Sequence, residues 1–144
     1  MKIFDTALFA GLAVAATLIA APAFAETVMF KATLSAAEEV PATTSKGVGM
    51  TDVTFDTATK KASWKGTYSG LSGPVTGSHF HGPAEKGKTA GVELAIEAKA
   101  SPFEGMATLT DAQAKDLMAG MLYVNLHTAA NPDGEIRGQV VKAK

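Results

Sequence analysis

The chain has 144 residues, with 13 Lys+Arg, 14 Asp+Glu, three His and no Cys. That length suits one domain, and a formal charge of −1 excludes the positive field on which non-specific nucleic-acid binding depends. The lack of Cys excludes disulfides, thiolate metal sites and thiol nucleophiles, and 47% hydrophobic against 19% charged residues excludes a disordered chain.

Residues 1–25 read as a secretory signal peptide. Lys2 supplies the positive start, residues 7–21 are an apolar run, Pro22 breaks it, and Ala23-Phe24-Ala25 is a small-x-small cleavage site. The run is mostly Ala and stops at a proline, so it is expected to be a cleaved leader rather than a stable membrane anchor. The expectation is a periplasmic or secreted protein whose folded domain is residues 26–144, with no stable membrane insertion after cleavage.

From there apolar and polar residues alternate in short segments. These are residues 27–34, 49–55, 61–68, 75–81, 91–98, 103–109, 122–128 and 134–141. Clusters rich in Gly, Pro and Asx separate them, as in Gly70-Leu71-Ser72-Gly73-Pro74 and Asn131-Pro132-Asp133-Gly134. The spacing predicts an all-β fold, an antiparallel β-sandwich of about eight strands. One short helix is expected at 111–119, with Thr110 as its cap, Gln113 at the capping-box position and Gly120 as terminator.

Two segments carry most of the unusual residues. The first is Ser72-Gly73-Pro74-Val75-Thr76-Gly77-Ser78-His79-Phe80-His81-Gly82-Pro83-Ala84. The second runs from Gly120 through Tyr123-Val124-Asn125-Leu126-His127-Thr128 and Asn131-Pro132 to Gly134-Glu135-Ile136-Arg137-Gly138. They resemble the His-x-His-Gly-Pro and Tyr-Val-Asn-x-His-Thr…Gly-Glu-Ile-Arg-Gly segments of CHRD domains, the repeats of chordin that also occur singly in secreted microbial proteins. Leu34-Ser35-Ala36-Ala37-Glu38-Glu39-Val40-Pro41 is similar to the family's opening strand. The resemblance implies a secreted β domain and assigns no definite activity. A fainter likeness links the His-x-His strand to the copper side of copper/zinc superoxide dismutases. With three His and no Cys, a full binuclear dismutase is not expected.

All three histidines fall in those segments. His79 and His81, two apart in a strand, project to one face with Cα atoms about 6.5–7 Å apart. Imidazoles on that spacing can converge on one ion at bonds of roughly 2.0–2.1 Å. His127 lies on a strand face with Tyr123 and Asn125, so three rings meet if the two strands are neighbours. Imidazole donors suit copper first and zinc second, and leave one coordination position open. Asp133, Glu135 and Glu85 are candidate carboxylates for that position, or for orienting a ring N–H. The competing reading makes the histidines structural, with rings bonded to carbonyls of the turns at Gly82-Pro83 and Asn131-Pro132.

Met106, Met118 and Met121 are expected in the core rather than at a Cu(I) site. Glu38-Glu39 reads as a solvated corner, and Glu135 with Arg137 as a same-face pair worth at most about 1 kcal/mol. Catalytic parts are missing: there is no Gly-x-Ser-x-Gly elbow, phosphate loop or His-Glu-x-x-His, and Ser78 faces away from His79 on the strand. The leading functional expectation is an exported protein that buffers or delivers copper through His79, His81 and His127. Set against it are a metal-free extracellular module that binds a protein or envelope partner, and a mononuclear copper redox enzyme.

Overall fold

Alternating burial along each segment produces the strands. A computed structural model describes residues 24–144, so the leader expected at residues 1–25 lies almost wholly outside the described residues. β1 (Thr27–Ser35), β2 (Val48–Asp56) and β3 (Lys61–Ser69) form an antiparallel meander, and β6 (Phe103–Thr108) adds to β3. Phe30, Ala32 and Leu34 of β1, Val53 and Phe55 of β2, and Ala62 and Trp64 of β3 point into one core. Each large apolar side chain buried in this way stabilises the fold by about 1.5–3 kcal/mol. The β2–β3 turn is closed by Asp56, whose Oδ1 accepts from the N–H groups of Ala58 (2.9 Å) and Thr59 (2.8 Å).

The second half contains β4 (Val75–His81), β5 (Val92–Ala95), β7 (Tyr123–Thr128), β8 (Ile136–Gln139) and β9 (Val141–Lys142). The sheet runs β5-β4-β7-β8-β1-β2-β3-β6, with β9 pairing to β1 off that path. Trp64 of β3 and Phe80 of β4 meet edge to face, with centroids 5.3 Å apart, although their strands are far apart in that order. The sheet therefore curls until its halves face each other, the sandwich-like arrangement expected of the patterning, with Leu126, Ile136 and Val124 completing the core.

Thr110 caps α1 (Asp111–Met118) as expected. Its side chain accepts from Gln113 N–H, and the Gln113 side chain accepts from Thr110 N–H. Gly120, at φ 71°, ends the turn. Met118 packs against the core, but Met106 stands 67% exposed on the outer face of β6, contrary to the expectation of burial. Its strand partner in β3 is Ser63, on the solvent side of that sheet.

Two expected strands are interrupted. Residues 134–141 divide because Val140 turns inward and donates its N–H to Leu122 O (2.9 Å), leaving β8 against β7 and β9 against β1. Residues 91–98 stop being a strand at Ala95. Ile96 N–H and Ala98 N–H both dock on Ser78, at its carbonyl (2.9 Å) and its Oγ (2.8 Å). Between these two anchored residues Glu97 adopts φ 63°, a left-handed conformation that costs a non-glycine residue about 1 kcal/mol. Among the described residues no helix is long and apolar enough to cross a membrane.

Candidate metal centre

β4 and β7 are neighbours, and this adjacency brings the histidines together. Their core face carries Ser78, Phe80, Val124, Leu126 and Thr128; the opposite face carries Gly77, His79, His81, Tyr123, Asn125 and His127. The register sets Gly77 against His127, His79 against Asn125 and His81 against Tyr123. His79 and His127 are thus diagonal neighbours, with a glycine in the gap. A Cβ at Gly77 would lie 3.2 Å from His79 Cε1 and 3.7 Å from His127 Cδ2, so the missing side chain is the space the two rings share.

One nitrogen from each of His79, His81 and His127 lies within 4.8 Å of the others. His79 Nδ1 and His127 Nε2 are 3.3 Å apart. Two donors bound at 2.0–2.1 Å in a tetrahedral site stand about 3.3–3.4 Å from each other, so that pair already has ligand spacing.

Backbone carbonyls fix which nitrogens are free. A carbonyl only accepts, so His127 Nδ1, 2.9 Å from Pro132 O, carries a proton, and in the neutral ring the lone pair is on Nε2. His81 Nδ1 donates likewise to Ala90 O at 3.1 Å. Its Nε2 is buried and has no hydrogen-bond partner among the described residues. The structural and the ligand readings are therefore compatible in these two rings: each anchors to a backbone carbonyl with one nitrogen and turns the other toward the cluster. Burial lowers the pKa of His79 and His81 below the usual imidazole value, and the neighbouring imidazoles push in the same direction. Both are then neutral near pH 7, the form that donates to a metal.

The family model of the CHRD domain matches residues 30–140. The chain belongs to the CHRD domain family. No curated protein matches it and no solved structure does, and the fainter likeness to copper/zinc superoxide dismutases gains no support.

In this CHRD domain the centre rests on a buried aromatic and charged platform. The His81 ring stacks on Tyr123, with centroids 5.0 Å apart and planes 7° from parallel. The Tyr123 hydroxyl donates to Ala90 O (3.2 Å), the acceptor that also holds His81, and accepts from Ala90 N–H (3.1 Å). The Arg137 guanidinium lies 4.3 Å from the Tyr123 ring centroid and donates to Lys88 O at 2.8 Å.

Arg137 does not pair with Glu135, as the sequence spacing suggested. Its Nε is 3.3 Å from Glu39 Oε2, and Glu39 is 5% exposed, far from the solvated corner expected of Glu38-Glu39. The physical reason is the fold-back after β1, which lays Glu39 beside β8, a contact between residues distant in the chain. Burial pushes the Glu39 carboxyl up, while Arg137 pulls it down. Gly134, at φ 129°, closes this corner, and a Cβ there would come within 2.5 Å of Asn125 Oδ1 and 2.7 Å of Glu39 Oε1.

Glu135, a candidate carboxylate for the centre, is fully used elsewhere. Its Oε1 accepts from Ser45 Oγ (2.6 Å) and Ser72 N–H (2.8 Å), and its Oε2 from Ser72 Oγ (2.6 Å) and Thr128 Oγ1 (2.5 Å). These bonds hold its pKa down at about 2, against an opposing push from desolvation. The carboxylate whose charge raises the His79 pKa is Glu97, which the sequence did not single out. Nothing in the sequence signals it, because the pairing of Ala95 with His79 that brings Glu97 near is set by the sheet.

Proposed function

We propose that this CHRD domain is an exported copper-binding protein that buffers or delivers the ion through His79, His81 and His127, with zinc as second choice. The observation that carries the reading is the buried, unpartnered Nε2 of His81 in a cluster where His127 also presents its Nε2 and His79 lies within ligand distance. A buried nitrogen with no partner costs stability, and its place next to two other imidazoles supports the reading of an ion site. Three neutral imidazoles are a donor set that copper and zinc favour over calcium or magnesium. Copper is then cargo, bound and released. The leader reading and the CHRD family both support a setting outside the cytosol, and the leader favours the periplasm or secretion.

Titration of the mature chain with Cu(II), Cu(I) and Zn(II) tests this. The expected result is sub-micromolar copper binding that His79→Ala or His127→Ala abolishes. Binding no tighter than that of an unrelated three-histidine protein would instead favour a metal-free extracellular module. Copper-loaded protein that turns over a redox substrate faster than free copper would favour an enzyme.

A further inference from the structure

On the outer side of His79 lies a groove of about 280 Å³ lined by Thr76, Gly77, His79, Ala95, Glu97 and Lys99. Glu97 reaches it because the chain is forced there. Ile96 is buried and Ala98 is buried, both are hydrogen-bonded to Ser78, and the residue between them takes the left-handed φ of 63°. Ser78 immediately precedes His79, so the anchor that strains Glu97 also holds it on the groove that His79 lines. Strain held by surrounding structure at the margin of a polar site is a pointer to function.

Two carboxylates of the neighbouring segments are committed, Glu135 to its hydroxyls and Glu39 to Arg137. Glu97 has only Lys99, at 3.6 Å between two exposed side chains, an ion pair that solvent weakens and that is readily given up. We infer that Glu97 is a displaceable fourth ligand that joins the three histidines when the ion is Cu(II) and stays on Lys99 when the ion is Cu(I).

The chemistry follows from charge and donor type. Three neutral imidazoles leave the charge of a divalent ion uncompensated, and a carboxylate oxygen is a hard donor that offsets part of it. Cu(I) is softer, carries one charge fewer, and gains little from a fourth oxygen ligand. The centre would then hold the two oxidation states with different affinities through one side chain. This inference rests on the copper-binding reading above.

The test is parallel Cu(II) and Cu(I) titration of the mature chain and of Glu97→Gln and His127→Ala variants, with electron paramagnetic resonance of the Cu(II) forms. Glu97→Gln keeps the size and backbone strain of an exposed residue, so its fold is checked simply by urea unfolding. The variant is expected to lose about tenfold or more in Cu(II) affinity, to keep its Cu(I) affinity, and to change the copper hyperfine coupling. Lys99→Ala frees the carboxylate and is expected to tighten Cu(II). If Glu97→Gln matches the parent chain in both titrations and in its spectrum, or loses both affinities equally, the inference is overturned while the histidine centre stands. If the parent chain binds copper no better than His127→Ala does, the centre itself falls, and Glu97 with it.

Discussion

Two polar clusters sit in the same pair of signature segments, and they differ in one respect. Around Glu135, every carboxylate oxygen has two donors, drawn from the loops at Ser45 and Ser72 and from the end of β7 at Thr128. Around the histidines, His127 Nε2 meets only another imidazole nitrogen, His79 Nδ1, and His81 Nε2 has no partner at all among the described residues. A saturated buried cluster has no capacity left for a ligand and acts on the fold, fastening three segments of chain to one charge. An unsaturated one weakens the fold slightly and has capacity to spare. Saturation, more than residue type, separates the structural site from the candidate binding site.

The largest expected effect is on the saturated side. Glu135→Ala removes the fully buried carboxylate that ties the part-buried Ser45 and Ser72 loops to the buried Thr128, and should cost about 3 kcal/mol in urea unfolding. Its acid signature is distinct. The carboxyl falls from its usual 4.5 to about 2 on folding, so the unfolded chain binds more protons between those values. The stability it contributes is complete above pH 4.5 and is lost as the pH falls through about 2; the total is about 3 kcal/mol. Glu135→Gln should flatten that acid limb, and a limb of unchanged depth would refute the assignment.

On the unsaturated side the prediction has the opposite character. Copper at a hundredfold excess over its dissociation constant should stabilise the parent chain by about 2.7 kcal/mol. His81→Phe should abolish that gain and change the metal-free stability by less than about 1 kcal/mol, since of the two nitrogens lost Nε2 had no partner and the partner of Nδ1, Ala90 O, keeps the Tyr123 hydroxyl. A severe loss in the metal-free state would make His81 a structural residue. A smaller effect belongs to Ser72→Ala. It removes one hydroxyl donor from Glu135 Oε2 and leaves Thr128 in place, and should cost about 1 kcal/mol without altering copper affinity.

The strands, the helix cap and the meeting of the histidines were legible because each depends on local period or on one adjacency. Alternation places His79 and His81 on one side of their strand and Tyr123, Asn125 and His127 on one side of theirs; only the pairing of β4 with β7, which puts all five on one face, had to be supposed. What was illegible depends on contacts between distant residues. Nothing near Glu39 in the chain announces Arg137, which faces it across the fold, so a buried ion pair read as a solvated corner. Glu135 lies two residues from Arg137, yet it sits before β8 begins, so strand parity did not apply to it. Glu97 continued the alternation of 91–98 on paper. The two hydrogen bonds to Ser78 that end the strand come from a side chain and a carbonyl on β4 that no pattern within 91–98 encodes.

The smallest perturbation gives the sharpest comparison. Gly77 has no part in either hydrogen-bonded cluster; it supplies room. In Gly77→Ala the new methyl would sit 3.2 Å from His79 Cε1, tighter than ordinary contact, and 3.7 Å from His127 Cδ2, where it fits. His79 must therefore yield by a few tenths of an ångström, and as a partly exposed ring it can do so at little cost to folding. A metal tolerates such a shift less well, because donor positions must hold to about half an ångström. Copper affinity should fall severalfold while urea unfolding of the metal-free chain stays within about 0.5 kcal/mol of the parent. Equal copper binding in the alanine variant would mean that the ring of His79 is free to move without consequence, and that the ion is held by the other two histidines and a donor elsewhere.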